Sequence, residues 1–279
     1  MSIQTVTTIL SEAEDVLSGL IPAVGFARAI DAHLHVLVLA TGMEHAAAMP
    51  SALEALPAGV GLDISEARAE EISTVVADRL AREDVRWHVD VLASPASGAS
   101  AEIVRQTRFS DLVVLTRAED AKAPETARFL AETILFDADT PLLLLPAQGG
   151  IAAPLRKIMV SWDESTTALR AARQALPLLA KGAYVHIVLV DPPRNSPERS
   201  DPGGAFAQFL SRHGIRCEVS VCNRTDDSIS ATLERRAKEL GCDMIVMGAY
   251  GHSRLRQAIF GGTTRDILTK AEVPVFMAH

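Results

Sequence analysis

The residues with the clearest chemical potential are glycines near the C-terminal end of the chain. An apolar run of strand length, Met244–Met247, leads into Gly248, and Gly251 follows after two residues. Gly261 and Gly262 then open a helical pattern. Glycine lets a backbone approach an anion closely, and the free N–H groups at a helix N-terminus point towards that anion. This order of strand, glycines and helix predicts a cradle for phosphate groups.

Side chains around these glycines add hydroxyl groups and charge. Thr263 and Thr264 supply hydroxyls at the predicted helix start, and Arg254 places a positive charge nearby. His252 and Ser253 have the types of a base and a nucleophile, but neighbours within one loop seldom orient each other for catalysis. We therefore expect no catalytic residue here, and we expect His252 either to lie near phosphate or to pack the loop.

A carboxylate occupies a second position of chemical interest. Asp163 directly follows Lys157–Trp162, an apolar run of strand character. In a doubly wound fold this is the carboxyl edge of the sheet, where a carboxylate can accept hydrogen bonds from a nucleoside. Alternatively, Asp163 shares with Ser165 the capping of a helix that the sequence predicts from Thr166. Both interpretations remain open at this point.

At these residues the chain resembles the universal stress protein family. Nucleotide-binding members of that family carry a glycine, two residues, a glycine, nine residues, and then Gly-Ser or Gly-Thr. Gly248, Gly251 and Gly261 match this spacing, and Gly262 stands where the family has its hydroxyl residue. The alternative is that these glycines only punctuate a loop and cap a helix. The resemblance implies ATP, or AMP or ADP, as ligand, with Mg²⁺ carried by the phosphates.

The resemblance also implies which residues would hold the nucleotide. Asp163 would face the nucleoside, and the main chain of Leu189 and Val190, at the end of the second strand, would face adenine. The implied site comprises Asp163, Leu189, Val190, Met247, Gly248, Gly251, His252, Arg254, Gly261, Gly262, Thr263 and Thr264.

The two halves of the chain repeat one another, which predicts two tandem domains at 1–148 and 155–279. Asp111–Leu115 has the pattern of Asp243–Met247, and Pro141–Leu145 has that of Pro274–Met277. Each copy alternates strand-like and helix-like segments, so we expect α/β domains with doubly wound parallel sheets. The resemblance implies that this fold is Rossmann-like, of the adenine-nucleotide alpha hydrolase type.

The predicted elements follow the apolar and amphipathic periodicities. The strands are expected at Val6–Leu10, His33–Ala40, Val85–Leu92, Asp111–Thr116, Leu142–Leu145, Lys157–Trp162, Tyr184–Val190, Arg216–Cys222, Met244–Met247 and Val275–Ala278. The helices are expected at Glu12–Asp31, Glu66–Arg82, Ala99–Thr107, Thr126–Phe136, Thr166–Lys181, Ala205–His213, Ser228–Leu240 and Gly262–Lys270.

The first copy lacks the glycines of the second. By the repeat, Arg128 and Phe129 take the places of Gly261 and Gly262, and their side chains would block a close approach of backbone to phosphate. We therefore expect nucleotide in the second copy alone. The resemblance further implies that the last strands of the two copies pair antiparallel, as an intrachain pseudo-dimer, and that the chain forms a homodimer.

Composition limits the classes of partner. The net charge of −8 argues against nucleic acid, and no apolar run approaches the ~20 residues of a membrane span. We expect a cytoplasmic protein, since the N-terminus lacks the features of a secretory signal and three cysteines form no disulfide framework. His35 and His186, at matching strand positions, are expected to pack or to lie at an interface, and no metal site of protein ligands is expected.

Three functions are compatible with these observations. The leading hypothesis is a nucleotide-binding regulatory module of the stress response. The second is a slow ATPase at the same site, limited because the sequence offers no positioned general base and no Walker-type lysine. The third is a nucleotide-free dimerisation or interaction protein, which the replacement of the family's hydroxyl residue by Gly262 favours.

Overall fold

The computed structural model describes ten stretches of the chain, to which all structural statements refer. They are residues 2–11, 16–40, 60–94, 98–117, 124–146, 150–151, 154–179, 182–192, 200–249 and 262–279. The chain divides into an N-terminal unit, Ile3–Thr140, and a C-terminal unit that contains Pro141–His279. No helix in the described ranges combines the length and the apolar character that crossing a bilayer requires.

The N-terminal unit is a parallel sheet with connecting helices. Its strands are β1 (Thr5–Ser11), β2 (His33–Ala40), β3 (Trp87–Ala93) and β4 (Leu112–Thr116). Its helices are α1 (Val16–Ile30), α2 (Val60–Leu80), α3 (Ala99–Thr107) and α4 (Pro124–Glu132), the last continued by a π-helical turn at Thr133–Asp137. The strands lie in the order β3-β2-β1-β4 and all are parallel.

The C-terminal unit repeats this arrangement and extends it. Its strands are β5 (Leu142–Leu145), β6 (Lys157–Ser161), β7 (Tyr184–Val190), β8 (Arg216–Cys222), β9 (Met244–Gly248) and β10 (Val275–Ala278). Its helices are α5 (Thr166–Leu179), α6 (Gly204–Arg212), α7 (Ile229–Leu240) and α8 (Thr263–Lys270). The strand order is β5-β10-β9-β6-β7-β8, parallel except for β5.

Continuous apolar runs form the central strands because both faces of a parallel sheet are covered. All residues of β5 and β10 are buried, and Phe276 of β10 has no exposed surface. The outer strand β8 instead alternates partly buried and exposed residues, and Val221 is 52% exposed. The core of the C-terminal unit therefore lies around β10, β9, β6 and β7, whose carboxyl ends frame the candidate site.

The predicted α/β class and parallel sheets are confirmed, and the antiparallel pairing of the two last strands is confirmed as well. β10 pairs antiparallel with β5, with Val275 opposite Leu144. Because β5 pairs in this way, it packs as part of the C-terminal unit, although it precedes the linker of the sequence repeat.

Candidate functional site

The carboxyl ends of three adjacent strands converge in the C-terminal unit. Strand β6 lies between β9 and β7, and the chain continues from β6 to β7 and β8 on one side but returns to β9 and β10 on the other. This reversal is the switch point beside which doubly wound sheets bind ligands. Gly248 ends β9, Val190 ends β7, and Asp163 follows β6 by two residues. The fold therefore gathers these predicted residues at one edge.

Of the two roles that the sequence left open at Asp163, the structure assigns the capping of α5 to Ser165. The hydroxyl oxygen of Ser165 accepts a hydrogen bond of 3.1 Å from the N–H of Ala168, so Ser165 caps α5. Asp163 Oδ1 accepts from the N–H of Ser165 at 3.0 Å, which closes a local turn around Glu164, whose φ is +61°. The Asp163 residue is exposed.

Gly248 is required by packing. A Cβ at this position would lie 2.6 Å from the backbone nitrogen of Ala168 and 2.8 Å from Oγ1 of Thr167. These atoms belong to the first turn of α5, which cannot move away as a flexible side-chain end can. Glycine at the end of β9 thus lets α5 begin directly against the sheet edge, with or without phosphate nearby.

Gly262 is the residue that precedes α8. Its φ of −81° and ψ of 161° are extended, and as a glycine it brings no side chain of its own to cap the helix. Its carbonyl accepts hydrogen bonds from Arg265 at 2.9 Å and Asp266 at 3.3 Å. A helix that crosses over from β9 to the parallel strand β10 runs opposite to both, so the N-terminus of α8 faces the carboxyl edge of the sheet. An anion there would meet the N–H groups and the positive end of the helix dipole.

The remaining predicted residues differ in what they can offer. Leu189 and Met247 are buried in the core, so main-chain groups are what they can present to a ligand. Thr264 is 4% exposed and faces inward, whereas Thr263 is partly exposed. Gly251, His252, Arg254 and Gly261 lie outside the described residues.

Trp162 is a further residue at this edge, and no motif in the sequence marks it. It lies between β6 and Asp163, its ring stacks on Phe206 with centroids 4.2 Å apart, and its indole N–H is buried. Within the described stretches this donor has no hydrogen-bond partner. A buried donor without an acceptor is costly, so the N–H is a candidate contact for a ligand or a water at this edge.

The N-terminal unit lacks the corresponding helix start. Arg128 and Phe129 lie inside α4, which begins at Pro124, and Arg128 forms an ion pair of 2.8 Å with Glu132. A continuous helix uses its N–H groups in its own hydrogen bonds, so none is free at this point to bind an anion.

The N-terminal unit instead brings four polar residues together on one face of its sheet. His35 on β2 lies opposite His88 on β3, and their rings stack with centroids 4.1 Å apart. Asp90 Oδ2 is 3.2 Å from Nε2 of His35 and 3.6 Å from Nε2 of His88. Nε2 of His33 is 2.7 Å from Nδ1 of His88. We call His33, His35, His88 and Asp90 the histidine cluster.

The surroundings of His33 and His35 lower the pKa of both imidazoles. Burial, followed by repulsion from a charged His88, lowers the pKa of His35, although Asp90 acts in the opposite direction. Burial and the same neighbour lower the pKa of His33. The sequence contains a pattern that could have predicted this cluster. His-x-His at 33–35 and His-x-Asp at 88–90 each place two polar side chains on one face of a strand.

Comparisons with known proteins agree with the resemblance. Residues 154–279 match the profile of the Universal stress protein family. A curated universal stress protein of Synechocystis is 27% identical over 178 residues, which cover 59% of this chain and 56% of the relative. The chain thus matches little more than half of that relative's length. These findings support a relationship to the universal stress protein family, carried by the C-terminal part of the chain.

Solved structures define the class of fold. A universal stress protein from Archaeoglobus fulgidus has a TM-score of 0.73 at 16% identity, covering 98% of this chain and 95% of its own. The cytoplasmic domain of a prokaryotic cation chloride cotransporter has a TM-score of 0.52 at 12% identity, covering 99% and 95%. The fold is α/β and Rossmann-like, as in the adenine-nucleotide alpha hydrolases. At such identities the likeness shows the fold alone.

Proposed function

We propose that the chain is a tandem universal stress protein whose C-terminal unit binds an adenine nucleotide and acts as a regulatory module. In this proposal Asp163 contacts the nucleoside, and the main chain of Leu189 and Val190 borders adenine. The phosphates, with any Mg²⁺ they carry, lie against the glycines and the start of α8. The homodimer and the cytoplasmic location stay part of the proposal.

One observation carries the proposal. The exposed carboxylate after β6, the end of β7 and the glycine end of β9 meet at the switch point, and the N-terminus of α8, which begins after Gly262, faces the same edge. A ligand that is polar at one end and anionic at the other fits such an edge. The match of residues 154–279 to the Universal stress protein family supports the family part of the proposal.

The sharpest test adds the hydroxyl that the family motif has. The extended backbone of Gly262 is one that any residue adopts, so Gly262→Ser introduces no backbone strain. A hydrogen bond to a charged phosphate contributes roughly 1.5–3 kcal/mol, so ATP affinity measured by calorimetry on the full chain should rise about tenfold or more. Phe129→Ser, at the repeat-equivalent position inside α4, serves as the matched control and should leave ATP binding unchanged.

The opposite change removes the nucleoside contact. Asp163→Ala should weaken ATP, ADP and AMP by similar factors, because all three share the nucleoside. No calorimetric signal with any of them, in the original chain or in Gly262→Ser, would contradict nucleotide binding.

Gly248 favours a second candidate, an interaction module without nucleotide. The packing of α5 fully accounts for this glycine, so one member of the motif needs no ligand to explain it. The two functions are separated by mass spectrometry of small molecules released from the purified chain. Release of an adenine nucleotide supports the first, and no release together with no calorimetric signal supports the second. A slow ATPase would in addition release phosphate from ATP.

A further inference from the structure

We propose that His35, His88 and Asp90 form a binding site for one divalent transition-metal ion of the Zn²⁺ type. The site lies in the N-terminal unit, which has lost the phosphate cradle, and it is independent of the nucleotide proposed for the C-terminal unit. Two imidazoles and one carboxylate are a ligand set that Zn²⁺ and its first-row neighbours accept.

The ligand atoms already have the spacing of a coordination shell. One ligand atom from each of the three residues lies within 4.8 Å of the other two. Tetrahedral Zn²⁺ with bonds of about 2.0–2.1 Å holds its ligand atoms about 3.3–3.5 Å apart. The carboxylate oxygen of Asp90 lies 3.2 Å from Nε2 of His35 and 3.6 Å from Nε2 of His88, close to this spacing. The two rings are stacked at an interplanar angle of 11°, so the half-exposed ring of His88 has to turn before both in-plane lone pairs point at one ion.

The outer nitrogens of both imidazoles are occupied in the way that metal-binding histidines require. Nδ1 of His35 is 3.4 Å from the hydroxyl of Thr7, which is 2.6 Å from that of Ser110. Nδ1 of His88 is 2.7 Å from Nε2 of His33. Such partners orient the rings. Nε2 of His35 is also within hydrogen-bond distance of the Asp90 carboxylate, so an ion that binds there displaces the proton that His35 donates to Asp90.

One of the three ligands is buried and the other two are accessible to solvent, so an ion can enter the site from the surface. His35 is buried in the face of the sheet, whereas the side chains of His88 and Asp90 are each about half exposed, at 48% and 47%. The buried ligand is fixed, and the two exposed ligands can close on the ion. Water can complete the coordination shell on the open side.

The C-terminal unit contains a natural comparison. His186 occupies the position of His35, but Glu218 replaces His88 and Ser220 replaces Asp90. Nδ1 of His186 is 2.7 Å from Glu218, and Tyr184, in the place of His33, donates its hydroxyl to the same carboxylate at 3.3 Å. This arrangement has one imidazole and one carboxylate that is already engaged, which is too few ligands for a tight site.

The test is metal titration of the full chain, with affinity tags removed and without nucleotide or phosphate. Co²⁺ is followed by its visible absorption, and Zn²⁺ by competition with a chromogenic chelator. We expect one ion per chain, with His88→Ala and Asp90→Ala each weakening binding at least tenfold. His186→Ala is the matched control and should bind as the original chain does. Circular dichroism and urea midpoints without metal verify that each variant is folded.

Three results would overturn the proposal. The first is an absence of saturable Co²⁺ or Zn²⁺ binding. The second is binding that both His88→Ala and Asp90→Ala leave unchanged, which would place the ion elsewhere. The third is an intense thiolate-to-cobalt absorption band, which would assign the ion to cysteine.

Discussion

At Gly248 the backbone of β9 passes so close to α5 that no side chain fits between them. The nearest atoms to an added Cβ are backbone atoms of Thr167 and Ala168, at 2.6–2.7 Å. Gly25 in α1 is the opposite case, because an added Cβ there would meet nothing within 4 Å. Comparing alanine substitutions at these two glycines therefore measures how much the lack of space at Gly248 affects the stability of the protein.

Gly248→Ala should lower the free energy of unfolding by roughly 1–3 kcal/mol, as expected for an overpacked site with little room to relax. Gly25→Ala should leave it unchanged or raise it by up to about 1 kcal/mol, because alanine favours the helix and restricts the unfolded chain. Urea denaturation of both variants measures the difference. Equal stability of the two would contradict the packing explanation.

The buried thiol of Cys242 makes the stability of the C-terminal unit decrease at high pH. Burial raises the pKa of Cys242 from 9.0 to about 11. The unfolded thiol ionises near pH 9 while the folded thiol stays protonated, so between these values the folded state binds the extra proton. The contribution is fully present below pH 9 and is lost as the pH rises to about 11.

Cys242→Ala should therefore remove part of the alkaline loss of stability. The difference in unfolding free energy between the original chain and the variant should shrink by about 2–3 kcal/mol as the pH rises from 8 to 11. Urea midpoints at several pH values, under reducing conditions, measure it. A difference that stays constant across this range would show that the thiol ionises as readily in the folded protein as in the unfolded chain.

At the scale of elements, β10 is held on both sides. The carbonyl of Pro274 accepts from Ile245 on β9, and because successive residues point to opposite sides, the N–H of Val275 faces β5. On the outer strand β8, the carbonyl of Cys222 accepts from Asp191 after β7, so the N–H of Val221 faces away from β7. Proline at position 275 would therefore remove an N–H that faces β5 inside the sheet. Proline at position 221 would remove an N–H that faces away from β7, at the outer side of β8.

Val275→Pro should destabilise the protein by roughly 1–3 kcal/mol or more, because it deletes a ladder hydrogen bond inside the sheet and leaves a buried acceptor unpaired. Val221→Pro should cost much less, since an edge strand tolerates proline where its N–H faces outward. Thermal unfolding monitored by circular dichroism compares the two. A similar loss for both would mean that the β5–β10 pairing contributes little.

Most helices and strands were predictable because the spacing of apolar residues within one element reflects which of its faces are buried. Six elements have the predicted bounds, namely β2, α3, β5, β7, β8 and β10. The other elements differ at one or both ends, and two helices of the first copy illustrate this. α2 begins at Val60 instead of Glu66, and the predicted helix Thr126–Phe136 is an α-helix only to Glu132. The apolar periodicity does not distinguish a short π-helical turn from an α-helix, so the sequence could not predict this turn.

At the scale of the whole molecule, the two copies keep one fold and differ in chemistry. The C-terminal copy has Asp163, Gly248 and the helix start at Gly262. The glycines could be predicted from their spacing and Asp163 from its place directly after an apolar run, and both signals are local in sequence. The histidine cluster of the N-terminal copy joins His35 and Asp90, which are 55 residues apart and meet only through the strand register. Such a site depends on long-range pairing, which local patterns do not reveal.

The antiparallel partner of β10 also decides where a gene fragment for the C-terminal unit has to start. A fragment cut at the repeat border, 155–279, would lack β5 and leave one side of an apolar strand open to other chains. A fragment of 141–279 keeps that cover and should remain monodisperse at concentrations at which the shorter one precipitates. Ultracentrifugation of both measures this. Equal behaviour would mean that β10 needs no neighbour on that side.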